Sequence, residues 1–322
     1  SADLNYNAII AGFDRGNSVI SSCRAGGTVR ASFYTGGIAG GANDGTVIEN
    51  CANSAEITGA GIYTGGIAGR LEDAARIENC VNSAEITSAG DYAGGIVGCL
   101  EFAASAEGCF NSGSITVNAK RNYFGGIAGY QRNGSVQNCA NSGTISSAYD
   151  LRKVGGISGY LDDGSIGNCI NKAAFSIGSG YEEYGGIVGY VNDETALIDN
   201  CINTAAVVTL GTIKNTARIS RLYYLNANGL GDSENVLCTG IDDFSDIMKE
   251  TDTIFLSGTG GIYVQAEIDW DDGSGITGFS IDTSNAKQTQ WPKNVPFVFD
   301  PTGLAATVTV GGVSYTPGLG SL

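Results

Sequence analysis

The sequence predicts an all-β fold, a right-handed parallel β-helix of about eight coils of about 30 residues, on two periodic features. The first is the pattern Gly-Gly-Ile-x-Gly, which recurs six times at intervals of 29 to 31 residues. The second is a Cys followed two residues later by an Asn, which keeps step with the first pattern. A period between about 20 and 50 residues is typical of a solenoid, a propeller or an array. Three short apolar segments per period favour a solenoid coil over a four-stranded propeller blade.

Composition excludes several classes of protein. The 322 residues include 17 Lys and Arg against 33 Asp and Glu, which gives a net charge of −16. Such a surface repels nucleic acid and anionic membranes, and no apolar run approaches the ~20 residues of a membrane helix. The chain has no His, so Ser-His-Asp and Cys-His catalytic sites and the usual zinc sites are excluded. We therefore expect no cofactor, no metal and no membrane insertion within this chain.

The chain begins with a degenerate repeat over residues 1–35. Ile10-Ala11-Gly12 occupies the place that Ile38-Ala39-Gly40 takes in the next repeat, and Cys23 follows Ile10 by 13 residues. The first residue, Ser1, thus lies inside a repeat without an obvious polar cap. Because solenoid ends need covering, we expect that more protein precedes Ser1 in the native polypeptide.

Each clear repeat over residues 36–204 contains three strand-like segments. In the first segment, alternation places Ile157 and Leu161 on one face and Ser158 and Tyr160 on the other. An Asn- and Asp-rich turn follows. The second segment has Ile and Cys three residues apart, which requires a bend between them. We place the bend at an Asn that tolerates a left-handed backbone, namely Asn50, Asn79, Asn138, Asn168 and Asn200. The third segment carries an Ile six residues after the Cys, namely Ile57, Ile86, Ile115 and Ile145.

Seven of the nine cysteines fall on the repeat, and Cys238 is a candidate for an eighth. Stacked coils lie ~4.8 Å apart, so identical residues form ladders. A Cys placed once per coil presents parallel rather than facing side chains, which disfavours disulfides. We predict that the seven are reduced and inside the solenoid. They are Cys23, Cys51, Cys80, Cys109, Cys139, Cys169 and Cys201.

The repeat decays toward the C-terminus. Residues 205–244 form a last degenerate coil, and Asp242–Glu250 is a candidate short helix. We therefore assign residues 1–244 to the solenoid and residues 245–322 to a β-rich cap or domain that covers its end. The strand-like segments of this second part are Ile254–Leu256, Ile262–Ile268, Phe297–Phe299, Ala306–Val310 and Val313–Tyr315.

The unit GGIAGYQRNGSVQNCANSGTIS, residues Gly125 to Ser146, resembles the GLUG motif repeat of large secreted and surface proteins of bacteria. The resemblance covers Gly36 to about Val208 and departs at Ala55, Ala84 and Gly108 without disturbing the spacing. It implies an extracellular or cell-surface location and a scaffold or adhesive role. The motif contains no catalytic residues, so it transfers none to this chain.

One candidate ligand-binding site is a column of tyrosines after the third Gly of consecutive repeats: Tyr130, Tyr160 and Tyr190. By alternation these rings point outward, beside the small residues Ala128, Ser158 and Val188, so we expect a flat, open strip. A neutral glycan chain is the ligand that such a strip would admit. Tyr–Tyr stacking that stabilises the sheet explains the same column without a ligand.

Acidic residues offer weaker candidates. Stacked Glu49, Glu78 and Glu107, the turn Asp162-Asp163-Gly164 and the segment Asp269–Gly273 could each hold Ca²⁺, but solvated faces and polar turns explain them better. Turn acids on one solenoid edge could instead perform glycoside hydrolysis without His. These acids are Asp44, Asp163, Asp193 and Glu194.

Two hypotheses of function follow. The first is a non-enzymatic bacterial surface or secreted scaffold with an adhesin-like role, which binds glycan or a host or cell-surface protein. The second is a carbohydrate-active β-helix enzyme, a polysaccharide lyase or glycoside hydrolase.

Overall fold

The computed structural model describes residues 6–31, 33–177, 182–206, 208–214 and 217–225, and short strands beyond residue 238. The chain divides into two compact units, Ser1–Gly240 and Ile241–Leu322. The assignment of residues 245–322 to a cap stays a prediction. The candidate helix at Asp242–Glu250 lies outside the described residues.

The first unit is built from four parallel sheets that run along a solenoid. They are numbered here in the order in which one coil visits them. Sheet 1 contains Tyr6–Asn7, Tyr34–Gly36, Tyr63–Gly65, Tyr92–Gly94, Asn122–Gly125, Arg152–Gly155 and Glu182–Gly185. Sheet 2 contains Ala11–Asp14, Ala39–Ala42, Ala68–Leu71, Val97–Glu101, Ala128–Arg132, Ser158–Leu161, Val188–Val191 and Leu210–Ile213.

Sheet 3 has two halves, which are joined where the strand Leu197–Asn203 spans both. Its first half contains Val19–Ser21, Val47–Glu49, Arg76–Glu78, Ser105–Glu107, Gly134–Gln137 and Gly164–Gly167. Its second half contains Arg24–Ala25, Ala52–Asn53, Val81–Asn82, Phe110–Asn111, Ala140–Asn141 and Ile170–Asn171, and Arg218–Leu225 pairs with Leu197–Asn203. Sheet 4 contains Thr28–Ala31, Glu56–Gly59, Ile86–Ser88, Ile115–Val117, Ile145–Ser147 and Phe175–Ile177.

The register of these sheets confirms an all-β solenoid with parallel strands. Each strand pairs with its counterpart one repeat away, as when Ile57 lies opposite Ile86 and Ile86 opposite Ile115. Seven strands in sheet 1 and eight in sheet 2 correspond to about seven turns and the start of another. The described residues of this unit contain no helix. Across all described residues of the chain, no helix is long and apolar enough to span a membrane.

The predicted bends between Ile and Cys are confirmed. Asn50, Asn79, Asn138, Asn168 and Asn200 all have φ between 50° and 54°. Gly108 takes the same place with φ 61°, and Ser22 does so in the first coil with φ 54°. Each bend lies between the two halves of sheet 3, although at Asn200 the strand continues through it, and each bend turns the following Cys inward.

Two apolar cores lie inside the coil. The larger one contains the Ile of Gly-Gly-Ile, the Ile before each bend and the buried cysteines. The smaller one lies between sheets 1 and 4 and is built from Ile57, Ile86, Ile115, Ile145, Phe124 and Val154. The seven ladder cysteines are free, as predicted: six of them are buried, while Cys23 in the first coil is half-buried.

A ladder of asparagine side chains is the polar part of the interior. The Asn of each Cys-x-Asn donates from Nδ2 to Oδ1 of the next Asn along the axis, at 2.9 to 3.2 Å. Each amide also bonds the backbone two residues ahead, as Asn141 does with the N–H and C=O of Gly143. The buried amides are thereby satisfied. The ladder residues are Asn53, Asn82, Asn111, Asn141, Asn171 and Asn203.

Each repeat needs two successive glycines because the backbone there lies very close to other backbone segments and to the asparagine ladder. A Cβ on Gly125 would overlap the carbonyl of Ala128, and a Cβ on Gly126 would overlap the amide of Asn141 and the carbonyl of Gly156. No side chain fits at either position. The Gly-Gly and Cys-x-Asn motifs therefore recur with the same period because they pack against each other.

The predicted placement of Ala128, Ser158 and Val188 on the outer face is wrong, because all three are fully buried. The alternation of side chains fails at the start of each strand of sheet 2. There the carbonyl of Ile157 accepts from the N–H groups of both Ile127 and Ala128, each at 3.0 Å. This bulge-like doubling turns the residue after Ile inward. The Tyr column therefore has no flat strip of small residues beside it.

The second unit contains one five-stranded antiparallel sheet among its described residues. Its strands are Thr253–Gly258, Ile262–Trp270, Ile276–Ile281, Val308–Val310 and Val313–Tyr315. Four of the five predicted strands fall on these elements in whole or in part. Phe297–Phe299 lies outside the described residues, and the strand at Ile276–Ile281 was not predicted from the sequence.

Candidate functional site: an aromatic band

Tyrosine rings form two columns along sheets 1 and 2. The first column contains Tyr6, Tyr34, Tyr63, Tyr92 and Tyr123, with successive ring centroids 4.3 to 5.0 Å apart and near-parallel planes. The second column contains Tyr130, Tyr160 and Tyr190, with centroids 5.1 and 5.4 Å apart. We call the two columns together the aromatic band.

The columns arise from in-register pairing of parallel strands. Tyr63 lies opposite both Tyr34 and Tyr92 in sheet 1, and Tyr160 lies opposite both Tyr130 and Tyr190 in sheet 2. Neighbouring strands are ~4.8 Å apart, which sets the spacing of the rings. Stacking of this kind contributes to the stability of the sheet beyond the area that it buries.

Close approach of the two sheets brings the columns together. Gly129 packs against the backbone of Ala93, where a Cβ would lie 2.8 Å from its nitrogen and oxygen. The ring of Tyr130 consequently meets Tyr92 and Tyr123 edge to face, with centroids 5.4 and 5.6 Å apart. Tyr123 meets Tyr160 in the same way at 5.3 Å.

The band changes column along the axis. In the first column the place after Tyr123 belongs to Lys153, and Glu183 follows. In the second column the coils before Tyr130 carry Phe13, Gly41, Arg70 and Cys99. Tyrosine rings therefore occupy the first column in the early coils and the second column in the later ones, with an overlap at Tyr123 and Tyr130. Every coil from Tyr6 to Tyr190 presents at least one ring.

Most rings of the band are half-buried. Tyr34 is the exception among the tyrosines, with 9% of its surface exposed, and the others present part of each ring to solvent. Burial is the largest cause that raises the pKa of Tyr63, Tyr130 and Tyr160, and it raises the pKa of Tyr92 to about 12. The hydroxyls therefore stay protonated near neutral pH and can both donate and accept hydrogen bonds.

Cations lie on the rings at two places. The ammonium of Lys153 lies 4.9, 5.2 and 5.0 Å from the ring centroids of Tyr123, Tyr160 and Tyr190. The guanidinium of Arg70 lies 5.7 Å from the ring of Tyr63. Contacts of this kind are attractive, since the ring face is electron-rich.

A compact ion-pair network borders the band. The carboxylate of Glu101 accepts from Arg70 at 2.6 Å and from Arg132 at 2.7 Å. Arg70 also pairs with Glu72 at 2.8 Å. Two cations and two anions cancel here, so the network adds no net charge to the band although the chain carries −16.

Hydrogen bonds or ion pairs engage several of the acidic candidates among the described residues. Glu49, Glu78 and Glu107 lie in register as expected, but Glu78 pairs with Arg76 at 3.0 Å. Among the described residues no group of three or more acidic or Cys side chains is placed to hold a metal ion.

Two of the turn acids instead accept hydrogen bonds from residues of the turns, one within its own turn and one from the turn of the neighbouring coil. Asp193 accepts from the N–H and the hydroxyl of Thr195, and these bonds lower its pKa. A general acid needs a raised pKa, so Asp193 is poorly suited to that role. Asp163 accepts from the N–H of Asn133. Of the segment Asp269–Gly273, the part from residue 271 onward lies outside the described residues.

The sequence analysis found only part of the band. The predicted residues Tyr130, Tyr160 and Tyr190 share one column, and their role in binding stays a prediction. The first column was missed, although its signal is present: Tyr34, Tyr63, Tyr92 and Tyr123 each stand two residues before a Gly-Gly.

Comparison with known families gives a match to two stretches of the repeat region. A family model described as the GLUG motif matches residues 60–87 and 121–146. Each match spans the first strand of a coil through to a strand of sheet 4. No protein of curated function and no solved structure matches the chain significantly.

Proposed function

We propose that this chain, a GLUG-repeat β-solenoid, is a non-enzymatic scaffold of the bacterial cell surface or of a secreted protein. In this proposal it has an adhesin-like role and binds an extended, uncharged glycan through the aromatic band. The carrying observation is the band itself, a row of rings that continues through about seven coils and is half-exposed at every tyrosine except Tyr34. Exposed aromatic patches often mark interaction sites.

The repeat distance of the band suits a sugar polymer. Tyr130, Tyr160 and Tyr190 follow one another at 5.1 and 5.4 Å, about the length of one pyranose unit in an extended chain. Such a chain could therefore lie parallel to the solenoid axis with one sugar per coil. Because neighbouring rings cover part of each ring face, the ligand would contact ring edges and hydroxyl groups, which stay protonated.

Charge supports an uncharged ligand. The chain as a whole carries −16 and repels polyanions at long range. At the band itself Lys153 is held over three tyrosines, and Arg70 and Arg132 are bound to Glu101. These cations are already engaged, which leaves the phenol groups as the main polar contacts.

A glycan array combined with a reducing-sugar assay tests the proposal. We expect binding to extended neutral glycans without release of reducing ends. Turnover would instead support a glycoside hydrolase or polysaccharide lyase. Binding to a host protein and to no glycan would keep the adhesin-like role but contradict the ligand class. Labelling of intact cells with an antibody against the solenoid tests the surface location.

A double substitution then locates the site. Tyr130→Ala with Tyr160→Ala should lower glycan affinity at least tenfold, because it removes two of three successive rings in the second column. The matched control is Tyr149→Ala, since Tyr149 is 50% exposed but lies outside the band. A folded double variant with unchanged affinity would exclude the second column as the site.

A further inference from the structure

The tyrosine columns bring identical reactive groups of successive coils together. In-register parallel strands place Tyr160 between Tyr130 and Tyr190, with centroid distances of 5.1 and 5.4 Å and interplanar angles of 6° and 3°. Neighbouring rings of this column therefore lie close together and nearly parallel. Holding two groups in this way gives a high effective concentration for a reaction between them.

We propose that the columns are a site of oxidative cross-linking, in which Tyr130–Tyr160 and Tyr160–Tyr190 form dityrosine under hydrogen peroxide and a haem peroxidase. Each phenol gives one electron and its hydroxyl proton to the peroxide-derived oxidant. The two phenoxyl radicals join through their carbons ortho to oxygen, and the displaced ring hydrogens move to the oxygens. Two tyrosines and one hydrogen peroxide thus give one dityrosine and two water molecules.

Exposure favours the second column over Tyr34 for this reaction. The coupling carbons must turn edge-on, which needs free space on one side of each ring. Tyr130, Tyr160 and Tyr190 are half-exposed, whereas Tyr34 in the first column is 9% exposed. We therefore expect cross-links in the second column to exceed those that involve Tyr34.

The phenol groups are the main oxidisable side chains that a peroxidase-generated oxidant can reach near the columns. The cysteines of the ladder from Cys51 to Cys201 are buried in the larger core, and Cys99 is 1% exposed. Among the described residues all cysteines are free, so no disulfide joins one coil to the next. A dityrosine would be a covalent bond between coils, joining residues 30 apart in sequence.

The test treats the full chain, at low protein concentration, with hydrogen peroxide and a haem peroxidase. Dityrosine fluorescence measures the yield, and peptide mass spectrometry after trypsin locates the bonds. We expect cross-links within one chain between peptide 122–132 and peptide 154–172, and between peptide 154–172 and peptide 173–214. Their yield should fall at least tenfold when the chain is denatured before oxidation.

Two conservative variants make the test specific. Tyr160→Phe keeps a ring in the stack but should abolish both cross-links, whereas Tyr149→Phe should leave them unchanged. Tyr149 has no ring contact in the described part of the chain and lies in a separate peptide, 133–152. Cross-links at Tyr149 as abundant as those at Tyr160, or equal yields in native and denatured chains, would overturn the proposal.

Discussion

At the scale of single residues, the buried amide of each Cys-x-Asn is the most heavily bonded side chain of the repeat. Asn141 bonds Asn111, Asn171 and both backbone groups of Gly143. It is 1% exposed, so water cannot replace these partners. Its side chain therefore ties one coil to the coils on both sides and also shapes its own turn.

Asn141→Ala should consequently destabilise the solenoid strongly. Two backbone groups of Gly143 lose their partner, and each unsatisfied buried group costs ~1–3 kcal/mol. We expect urea unfolding to show a loss of about 2–6 kcal/mol. The control is Asn118→Ala, the same change at an exposed position, which should cost less than about 0.5 kcal/mol. Equal losses in the two variants would contradict the role of the ladder.

The tyrosines of the band make the folding stability depend on pH in the alkaline range. The pKa of Tyr92 is about 12 in the folded chain against 10.0 ordinarily. Between these values the folded state keeps a proton that the unfolded state has lost. The stabilisation is therefore complete below about pH 10 and is lost as pH rises toward 12.

We expect phenolate absorbance of the native protein to appear at higher pH than that of the denatured chain. We also expect the urea midpoint to fall between about pH 10 and pH 12. The denatured chain is the internal control, since its tyrosines titrate near 10. Coincident titration curves would show that the rings are open to solvent in the native state.

At the scale of the elements, the contact between the Gly-Gly bend and the asparagine ladder determines how closely sheets 1 and 2 approach sheet 3. Gly126→Ala should disrupt it, because the new Cβ overlaps Asn141 and the backbone of Gly156. Overpacking of this kind costs ~1–3 kcal/mol and at times more. The control is Gly26→Ala, where a Cβ would lie 3.7 Å from its nearest neighbour, Ser54. Thermal unfolding of both variants measures the difference, and a Gly126→Ala protein as stable as the control would contradict this packing.

At the scale of the whole molecule, the solenoid keeps its thiols in a dry interior. Burial raises the pKa of Cys80, Cys99, Cys139 and Cys201, which makes these thiols inert. A thiol reagent should label native protein at Cys23, which is half-buried, and leave Cys80, Cys99, Cys139 and Cys201 untouched. Denaturation should then release all nine cysteines.

The variant Cys23→Ser separates this site from Cys238, which lies outside the described residues. In that variant, native labelling should fall by one thiol. Rapid native labelling of Cys109 or Cys139 would show that the coils separate readily. Disulfides between ladder residues in a peptide map would contradict the parallel arrangement.

Much of this architecture follows from the sequence because a ladder repeats each local requirement in every coil. The bends were predicted correctly since a spacing of three between Ile48 and Cys51 cannot fit a straight strand. The burial of Ala128 was not predicted. The N–H groups of Ile127 and Ala128 share one carbonyl, and the alternation of residues in the sequence does not reveal this irregularity. The first Tyr column was missed because it lies outside the pattern from Gly-Gly-Ile to Cys-x-Asn.

The side-chain amide dipoles of the asparagine ladder all point the same way along the solenoid axis. Each of its five amide-to-amide bonds is donated from the earlier coil to the later one, from Asn53 through to Asn203. The backbone bonds of each amide hold its oxygen and nitrogen in place, so the dipoles cannot reverse singly. Aligned dipoles polarise one another and add along the axis. The ladder therefore carries a permanent dipole moment, positive toward the later coils, that grows with every repeat added.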